Sequence, residues 1–93
     1  MSESIIQKNK ECFICKDIRR GLEKHHCLRG AYRQKADEWG CWIWLCHFHH
    51  TGSNASVHHN KDMELYFQKL AQKKFEELYG HEKFMEEFGK SWL

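Results

Sequence analysis

Histidine and cysteine residues concentrate in two short stretches of this chain. The first ends in the adjacent pair His25 and His26, and the second runs from Cys46 to His50. Imidazole nitrogens and thiolates are ligands for zinc and related metals, and a neutral imidazole can also accept a proton. Neighbouring side chains on a strand point to opposite faces, so His25 and His26 cannot easily do the same job. We therefore expect one of them to hold an ion while the other meets a substrate.

A second set of metal ligands has the spacing of a structural zinc site. Cys12 and Cys15 form a C-x-x-C pair, and Cys46 and His49 form a C-x-x-H pair further along the chain. Two such half-sites predict one closed Cys3His site on a tetrahedral Zn²⁺, which would pin the N-terminal segment to the rest of the domain. A redox role for Cys12 and Cys15 is the alternative, but it needs a strand–helix context that this region lacks.

The composition is that of one small domain, which we place at residues 1–93. The chain has 93 residues, of which 41% are hydrophobic, with five cysteines and eight histidines. A core this small is marginal, so a metal cross-link is expected to help it. There is no long apolar run, so we expect no membrane-spanning segment. The absence of a secretory signal predicts a cytoplasmic, reducing compartment. In such a compartment an odd number of cysteines favours zinc binding over disulfides. The net charge of +2 permits a nucleic-acid partner without requiring one.

The order of apolar and polar residues predicts an α+β fold. Residues 1–10 are mostly polar and are expected to be a leader that frays. A strand containing His25 and His26, a connection with a short helix over residues 31–39, and a second strand over residues 41–45 predict an antiparallel hairpin with a long loop. The zinc ligands and the hairpin together make residues 11–60 the core of the domain.

Residues 61–93 are expected to be helical. Asn60 or Asp62 can cap a helix that Gly80 ends, and a shorter amphipathic helix follows. Apolar residues recur in the longer helix at three- and four-residue spacing, which predicts that they face the core. They are Met63, Tyr66, Phe67, Leu70, Ala71, Phe75 and Leu78.

The best basic and aromatic patch of the chain lies in the connection between the strands. Arg29, Arg33 and Lys35 surround Tyr32 there. We interpret the three basic residues as candidate phosphate contacts for DNA, with an ordinary solvated loop as the alternative.

The paired histidines on the first strand, the second strand and the histidine after the zinc half-site resemble the HNH endonucleases, also called ββα-metal or His-Me finger nucleases. The resemblance covers residues 12–60 and extends to the small HNH-type proteins of bacteriophages. It implies a zinc-stapled ββα-metal core with C-terminal amphipathic helices. It also implies that His25 and His50 ligate a catalytic divalent ion and that His26 is the general base, with its other nitrogen on a backbone carbonyl.

Two positions depart from the pattern of that family. Cys41 occupies the slot of the central asparagine that fixes the loop orienting the base. The last ligand of the family would fall on Asn54, but the following segment offers His58 or His59; we prefer His58. His47 and His59 are expected at the surface, and Cys27 in the core.

The function implied by the resemblance is metal-dependent hydrolysis of phosphodiester bonds in DNA, in a protein encoded by a phage or prophage and acting in the cytoplasm of a bacterial host. The residues do not choose among Mg²⁺, Mn²⁺, Ni²⁺ and Zn²⁺ for the catalytic ion. The rival is a non-catalytic, zinc-stabilised module with the same fold that binds DNA or inhibits a host protein. A purely structural zinc-ribbon adaptor would leave the clustered histidines unexplained.

Overall fold

The computed structural model describes residues 3–18, 21–53 and 56–93. Two strands form one antiparallel hairpin, and most of the remaining structure is helical. The strands are β1, Leu22–His26, and β2, Trp42–Cys46. The helices are α1, Arg33–Trp39; α2, His47–His50; α3, Lys61–Tyr79; and α4, His81–Phe88. Single 3-10 turns occur at Gly30–Tyr32 and Val57–His59. The protein is therefore a small α+β domain with a two-stranded hairpin, as its sequence predicts.

The register of the hairpin separates the two adjacent histidines. His25 lies opposite the buried Ile43, and His26 lies opposite Trp42. The ring of His25 packs toward Phe67 of α3, with 6.3 Å between ring centroids, whereas His26 contacts Asp37 of α1. Alternation along the strand thus points the two imidazoles at different elements, as expected.

The connection between the strands contains a single 3-10 turn followed by α1. The helix ends at Gly40, whose backbone is left-handed at φ 75°, and Cys41 donates its N–H to the carbonyl of Ala36. Glycine adopts this conformation without steric penalty, so it can turn the chain directly from α1 into β2. This short path brings α1 against the hairpin and sets Asp37 beside β1.

Helix α3 supplies much of the core. Asn60 caps it, because its side chain accepts a hydrogen bond from the N–H of Met63, and Phe67, Ala71 and Phe75 are buried. Phe84 and Phe88 of α4 pack on the Phe75 ring at 5.4 and 5.8 Å between centroids. Burying a side chain of this size stabilises a fold by about 1.5–3 kcal/mol.

Two members of the predicted apolar stripe of α3 do not face the core. Tyr66 and Leu78 are each 59% exposed. The stripe on the sequence is wider than the surface that the hairpin and α4 cover, so residues at its margin remain in solvent. The prediction was wrong for these two positions, and Met63 and Leu70 are only partly buried.

The segment predicted to fray is instead hydrogen-bonded to the outer edge of β2. Ser4 Oγ donates to the carbonyl of Trp42 at 2.5 Å, and Trp44 donates its N–H to Gln7 Oε1 at 2.9 Å. Phe13 completes the edge by donating its N–H to the carbonyl of Trp44 at 2.8 Å. A two-stranded sheet leaves this edge without a neighbouring strand, and the polar N-terminal residues satisfy its backbone groups.

Among the residues that the structure describes, no helix is both long enough and apolar enough to cross a membrane.

Candidate metal centres and the adjoining pocket

The four predicted zinc ligands come together at one end of the hairpin. One ligand atom from each of Cys12, Cys15, Cys46 and His49 lies within 4.8 Å of the others. The measured separations include 3.7 Å from Cys12 Sγ to His49 Nδ1, 3.9 Å from Cys15 Sγ to Cys46 Sγ, and 3.3 Å from Cys46 Sγ to His49 Nδ1. Ligand atoms of a tetrahedral zinc ion lie roughly 3.5–3.8 Å apart, given the usual Zn–S and Zn–N distances. The donor set and its dimensions therefore fit Zn²⁺.

Local backbone structure prepares this cluster for a cation. Cys12 begins a tight turn that Lys16 closes by donating its N–H to the Cys12 carbonyl, with Lys16 in a left-handed conformation at φ 64°. Burial works against ionisation of the Cys12 thiol, but hydrogen bonds from the backbone N–H groups of Cys15, Cys46 and Ile14 outweigh it and lower the pKa of Cys12 to about 6. A thiolate is the form that binds zinc.

A second cluster brings together three histidines from three separate elements. His25 comes from β1, His50 from α2 and His58 from the turn before α3, and one ligand atom of each lies within 4.8 Å of the others. His50 Nε2 and His58 Nε2 are 2.9 Å apart. Three imidazoles with room for a further ligand are a common donor set for a catalytic divalent ion. We call this set the histidine cluster.

His25 is the member of the histidine cluster that the fold itself leaves unsatisfied. The residue is only 1% exposed, and neither Nδ1 nor Nε2 has a hydrogen-bond partner among the residues that the structure describes. Burial, followed by the electrostatic effect of His50 and His58, lowers the pKa of His25 to about 3, so its ring is neutral. A buried polar group without a partner costs about 1–3 kcal/mol, and a metal ion bound to the lone pair of one ring nitrogen would remove that cost for that nitrogen.

His50 is oriented by a carboxylate that sequence reasoning missed. Glu23 Oε1 lies 2.7 Å from His50 Nδ1. Since a carboxylate accepts hydrogen bonds, Nδ1 carries the hydrogen and Nε2 keeps its lone pair for an ion. Glu23 and His25 stand two residues apart on β1, so strand alternation was a signal that could have placed Glu23 on this face.

His58 is engaged by a residue expected to bind DNA. Arg29 Nη1 contacts His58 Nδ1, and Arg29 Nη2 lies 2.9 Å from Glu64 Oε1. An arginine only donates, so this contact puts the hydrogen of His58 on Nε2, where it is donated to His50. Ligation by His58 Nε2 therefore requires the hydrogen to leave Nε2, whereas His25 and His50 each offer a lone pair without such a change. The other candidate for this role, Asn54, lies outside the described residues.

The histidine cluster forms one wall of a pocket of about 480 Å³. His26 lies on another wall, and its side chain is 12% exposed. Its Nε2 lies 3.0 Å from Asp37 Oδ1, and among the described residues its Nδ1 has no hydrogen-bond partner. We expected the second ring nitrogen of His26 to contact a backbone carbonyl. For Nε2 this prediction was wrong, because α1 packs against β1 and supplies the Asp37 carboxylate.

The basic residues of the predicted DNA-binding patch separate in space. Arg33 lines the pocket and has no ion-pair partner in the described part of the chain; Arg29 also lines it, but its guanidinium is held by Glu64. Lys35 lies outside the pocket and pairs with Glu87 at 3.3 Å. Lys24 lines the pocket beside His26, and sequence reasoning missed it because it lies on β1 and not in the basic connection.

Cys41, which the resemblance to the HNH family places at the central asparagine, belongs to the core. It is fully buried, and burial raises the pKa of its thiol to about 12. Its carbonyl accepts the N–H of Cys27 at 3.0 Å, which extends the hairpin by one pair, and Cys27 is buried as predicted. Cys41 therefore supports the hairpin as a neutral thiol and does not reach the pocket. His47 and His59 are exposed, as predicted.

No protein-family model, curated protein or solved structure was found to match this chain.

Proposed function

We propose that this protein is a metal-dependent endonuclease of the HNH type that hydrolyses phosphodiester bonds in DNA. The observation that carries the proposal is His25, a buried neutral imidazole with two unpartnered nitrogens beside His50 and His58. A fold held by zinc alone has no need of such a residue, since replacing it with an apolar side chain would stabilise the core. The unsatisfied ring is explained if the histidine cluster holds a divalent ion during the reaction.

The pocket supports phosphate chemistry because it combines a base with positive charge. His26, Lys24 and Arg33 all line it, and the histidine cluster lies at its wall. When bound there, a divalent ion supplies Lewis-acid stabilisation of the charge that develops on the phosphoryl group. Arg33 is placed to attract and orient the phosphate, as guanidinium groups commonly do.

His26 is the proposed general base. Its Nε2 is engaged by Asp37, which leaves Nδ1 as the nitrogen that takes a proton from the attacking water. His25 and His26 are adjacent in sequence yet point to different elements, so one chain segment supplies both a ligand and the base. Strand alternation favours separate roles for the two histidines, one as metal ligand and one as base.

The proposed role of the Cys3His cluster is structural. Its four ligands leave no coordination position open, and they join the N-terminal turn, the end of β2 and α2. Zn²⁺ at this position would hold α2, and with it His50, in place.

The test is a nicking assay on supercoiled plasmid with protein that retains its structural zinc. We expect no cutting in EDTA concentrations that strip only the weaker site, and recovery on adding Mg²⁺, Mn²⁺, Ni²⁺ or Zn²⁺. His26→Ala should lower the rate by about 10²–10⁴, the usual contribution of a general base, while zinc content and DNA binding persist. His59→Ala is the matched control, because His59 is exposed and lies outside the pocket.

Wild-type protein that binds DNA but cuts no plasmid, linear or single-stranded substrate with any of these ions would overturn the proposal in favour of the non-catalytic module. Equal rates for His26→Ala and wild type would remove His26 as the base.

A further inference from the structure

Asp37 of α1 sits between two residues that lie two positions apart on β1. Its Oδ1 is 3.0 Å from His26 Nε2 and 3.1 Å from Lys24 Nζ. Strand alternation puts Lys24 and His26 on the same face of the hairpin, and Asp37 of α1 reaches both side chains. One oxygen of the carboxylate, Oδ1, therefore accepts hydrogen bonds from both side chains.

This arrangement restricts the tautomer of His26. The hydrogen bond from His26, followed by the interactions with Lys24, keeps the pKa of Asp37 below its usual range, so the side chain is a carboxylate that only accepts. A neutral His26 can satisfy it only by carrying its hydrogen on Nε2. The lone pair is then on Nδ1, which has no hydrogen-bond partner among the described residues.

Lys24 keeps the carboxylate in position. Its ammonium group lies 3.1 Å from Asp37 Oδ1 and 4.2 Å from the centroid of the Trp42 ring, so the cation is held between the carboxylate and an aromatic face. Trp42 lies on β2 directly opposite His26, and its ring contacts Lys24. β2 therefore contributes to the placement of Asp37 through Lys24.

We infer that Asp37 is a positioning residue that holds His26 as its Nε2–H tautomer and leaves Nδ1 to act on the substrate water. The inference rests on the proposed nuclease function for its catalytic consequence. The tautomer itself depends only on the contact between α1 and β1 and can be measured without any cleavage. A surface ion pair that merely stabilised the fold would leave the ring chemistry of His26 unchanged.

The first readout is the ring nitrogen chemical shifts of His26 in ¹⁵N-histidine-labelled protein that holds its structural zinc, recorded where the ring is neutral. The His26 signals are assigned by their loss in His26→Ala. We expect wild type to show protonated Nε2 and unprotonated Nδ1. Asp37→Ala should shift the ring toward a mixture of tautomers, and Glu38→Gln, on the next residue of the same helix, should leave it unchanged.

The second readout is the kinetics of cleavage with saturating divalent ion. Loss of a carboxylate that orients a functional histidine commonly costs about 10–100-fold in activity, so kcat of Asp37→Ala should fall by that factor with little change in KM. Glu38→Gln removes the same charge from α1 and should cut like wild type. Should Asp37→Ala fail to fold, Asp37→Asn keeps the shape, and it should lower kcat in the same way because its amide can donate to Nε2 and select the wrong tautomer.

The outcomes separate the inference from the function on which it rests. If wild type cuts no DNA but His26 is the Nε2–H tautomer and changes in the Asp37 variant, the nuclease proposal fails and the positioning by Asp37 stands. If wild type cuts and the Asp37 variants keep both the tautomer and kcat, the inference is overturned and the nuclease proposal stands. A changed tautomer with unchanged kcat would equally overturn the catalytic part of the inference.

Discussion

The cysteine-rich cluster and the histidine cluster use similar ligand chemistry but are built differently. In the first, four ligand atoms lie around one point and contact one another. In the second, three imidazoles meet at the wall of an open pocket, and one of them has both nitrogens unpartnered. A closed set of four satisfies an ion completely, while a set of three leaves room for substrate or water. This contrast supports our proposal that one cluster serves stability and the other serves chemistry.

The two clusters share a very short helix. α2 consists of His47–His50 and supplies His49 to the cysteine-rich cluster and His50 to the histidine cluster. A helix of one turn is not stable by itself, so its position depends on what its ends are attached to. Loss of the structural zinc should therefore damage both clusters, whereas loss of the second ion should leave the first intact.

The largest effect should come from breaking the cysteine-rich cluster. We expect the double variant Cys12→Ser/Cys15→Ser to lose its zinc and to unfold, because structural zinc sites contribute about 10–16 kcal/mol of binding free energy that is coupled to folding. Metal analysis and thermal melting measure this, and binding of a second ion should disappear as well. Cys27→Ala is the control, since Cys27 lies in the core outside both clusters. Retention of zinc and of the wild-type melting temperature in the double variant would refute the assignment.

An opposite effect on stability is expected in the histidine cluster. Replacing His25 with Leu removes a buried ring whose nitrogens have no partner, so the free energy of unfolding of zinc-loaded protein without the second ion should rise by about 1–3 kcal/mol. The same change should abolish binding of that ion. Urea denaturation and calorimetric titration with Mn²⁺ or Ni²⁺ measure the two effects. A drop in stability together with unchanged ion binding would show that His25 is an ordinary core residue.

The smallest effect should distinguish the pocket from the surface beyond it. Each phosphate contact contributes about 0.9 to the slope of log K against log salt for duplex DNA. Arg33→Ala should therefore make the slope shallower by about one unit, whereas Lys35→Ala, which removes a charge paired with Glu87 outside the pocket, should leave it unchanged. Salt titrations of DNA binding compare the two variants, and identical slopes for both would remove the pocket as the phosphate-binding surface.

Local patterns in the sequence were sufficient for the two strands and for α1, α3 and α4, but they did not predict α2. Alternation and aromatic content predicted both strands, and the Asn60 cap with Gly80 predicted the limits of α3. The short-range spacing of Cys12 with Cys15 and of Cys46 with His49 predicted two half-sites that the structure brings together. These predictions succeed because strand alternation, helix capping and turn geometry depend on residues close together in the chain.

The partners of each side chain depended on how the elements pack. Glu23 at His50, Asp37 at His26 and Glu64 at Arg29 join residues from different elements. Their identity follows from the register of the hairpin and the path of α1 and α3, and spacing along the chain carries no information about either. The same holds for the N-terminal residues on the edge of β2 and for the exposed margin of the α3 stripe.

The sequence by itself thus predicted the candidate ligand residues, the two strands and the longer helices, because those properties are local, but it did not predict α2, which carries His49 and His50. Only the tertiary structure decided that three histidines from β1, α2 and the turn before α3 meet at one point, and that the ring of His25 is left without a partner there. The physical reason is that burial and hydrogen-bond satisfaction depend on contacts between elements that are distant in the chain, and these exist only when the whole domain has packed.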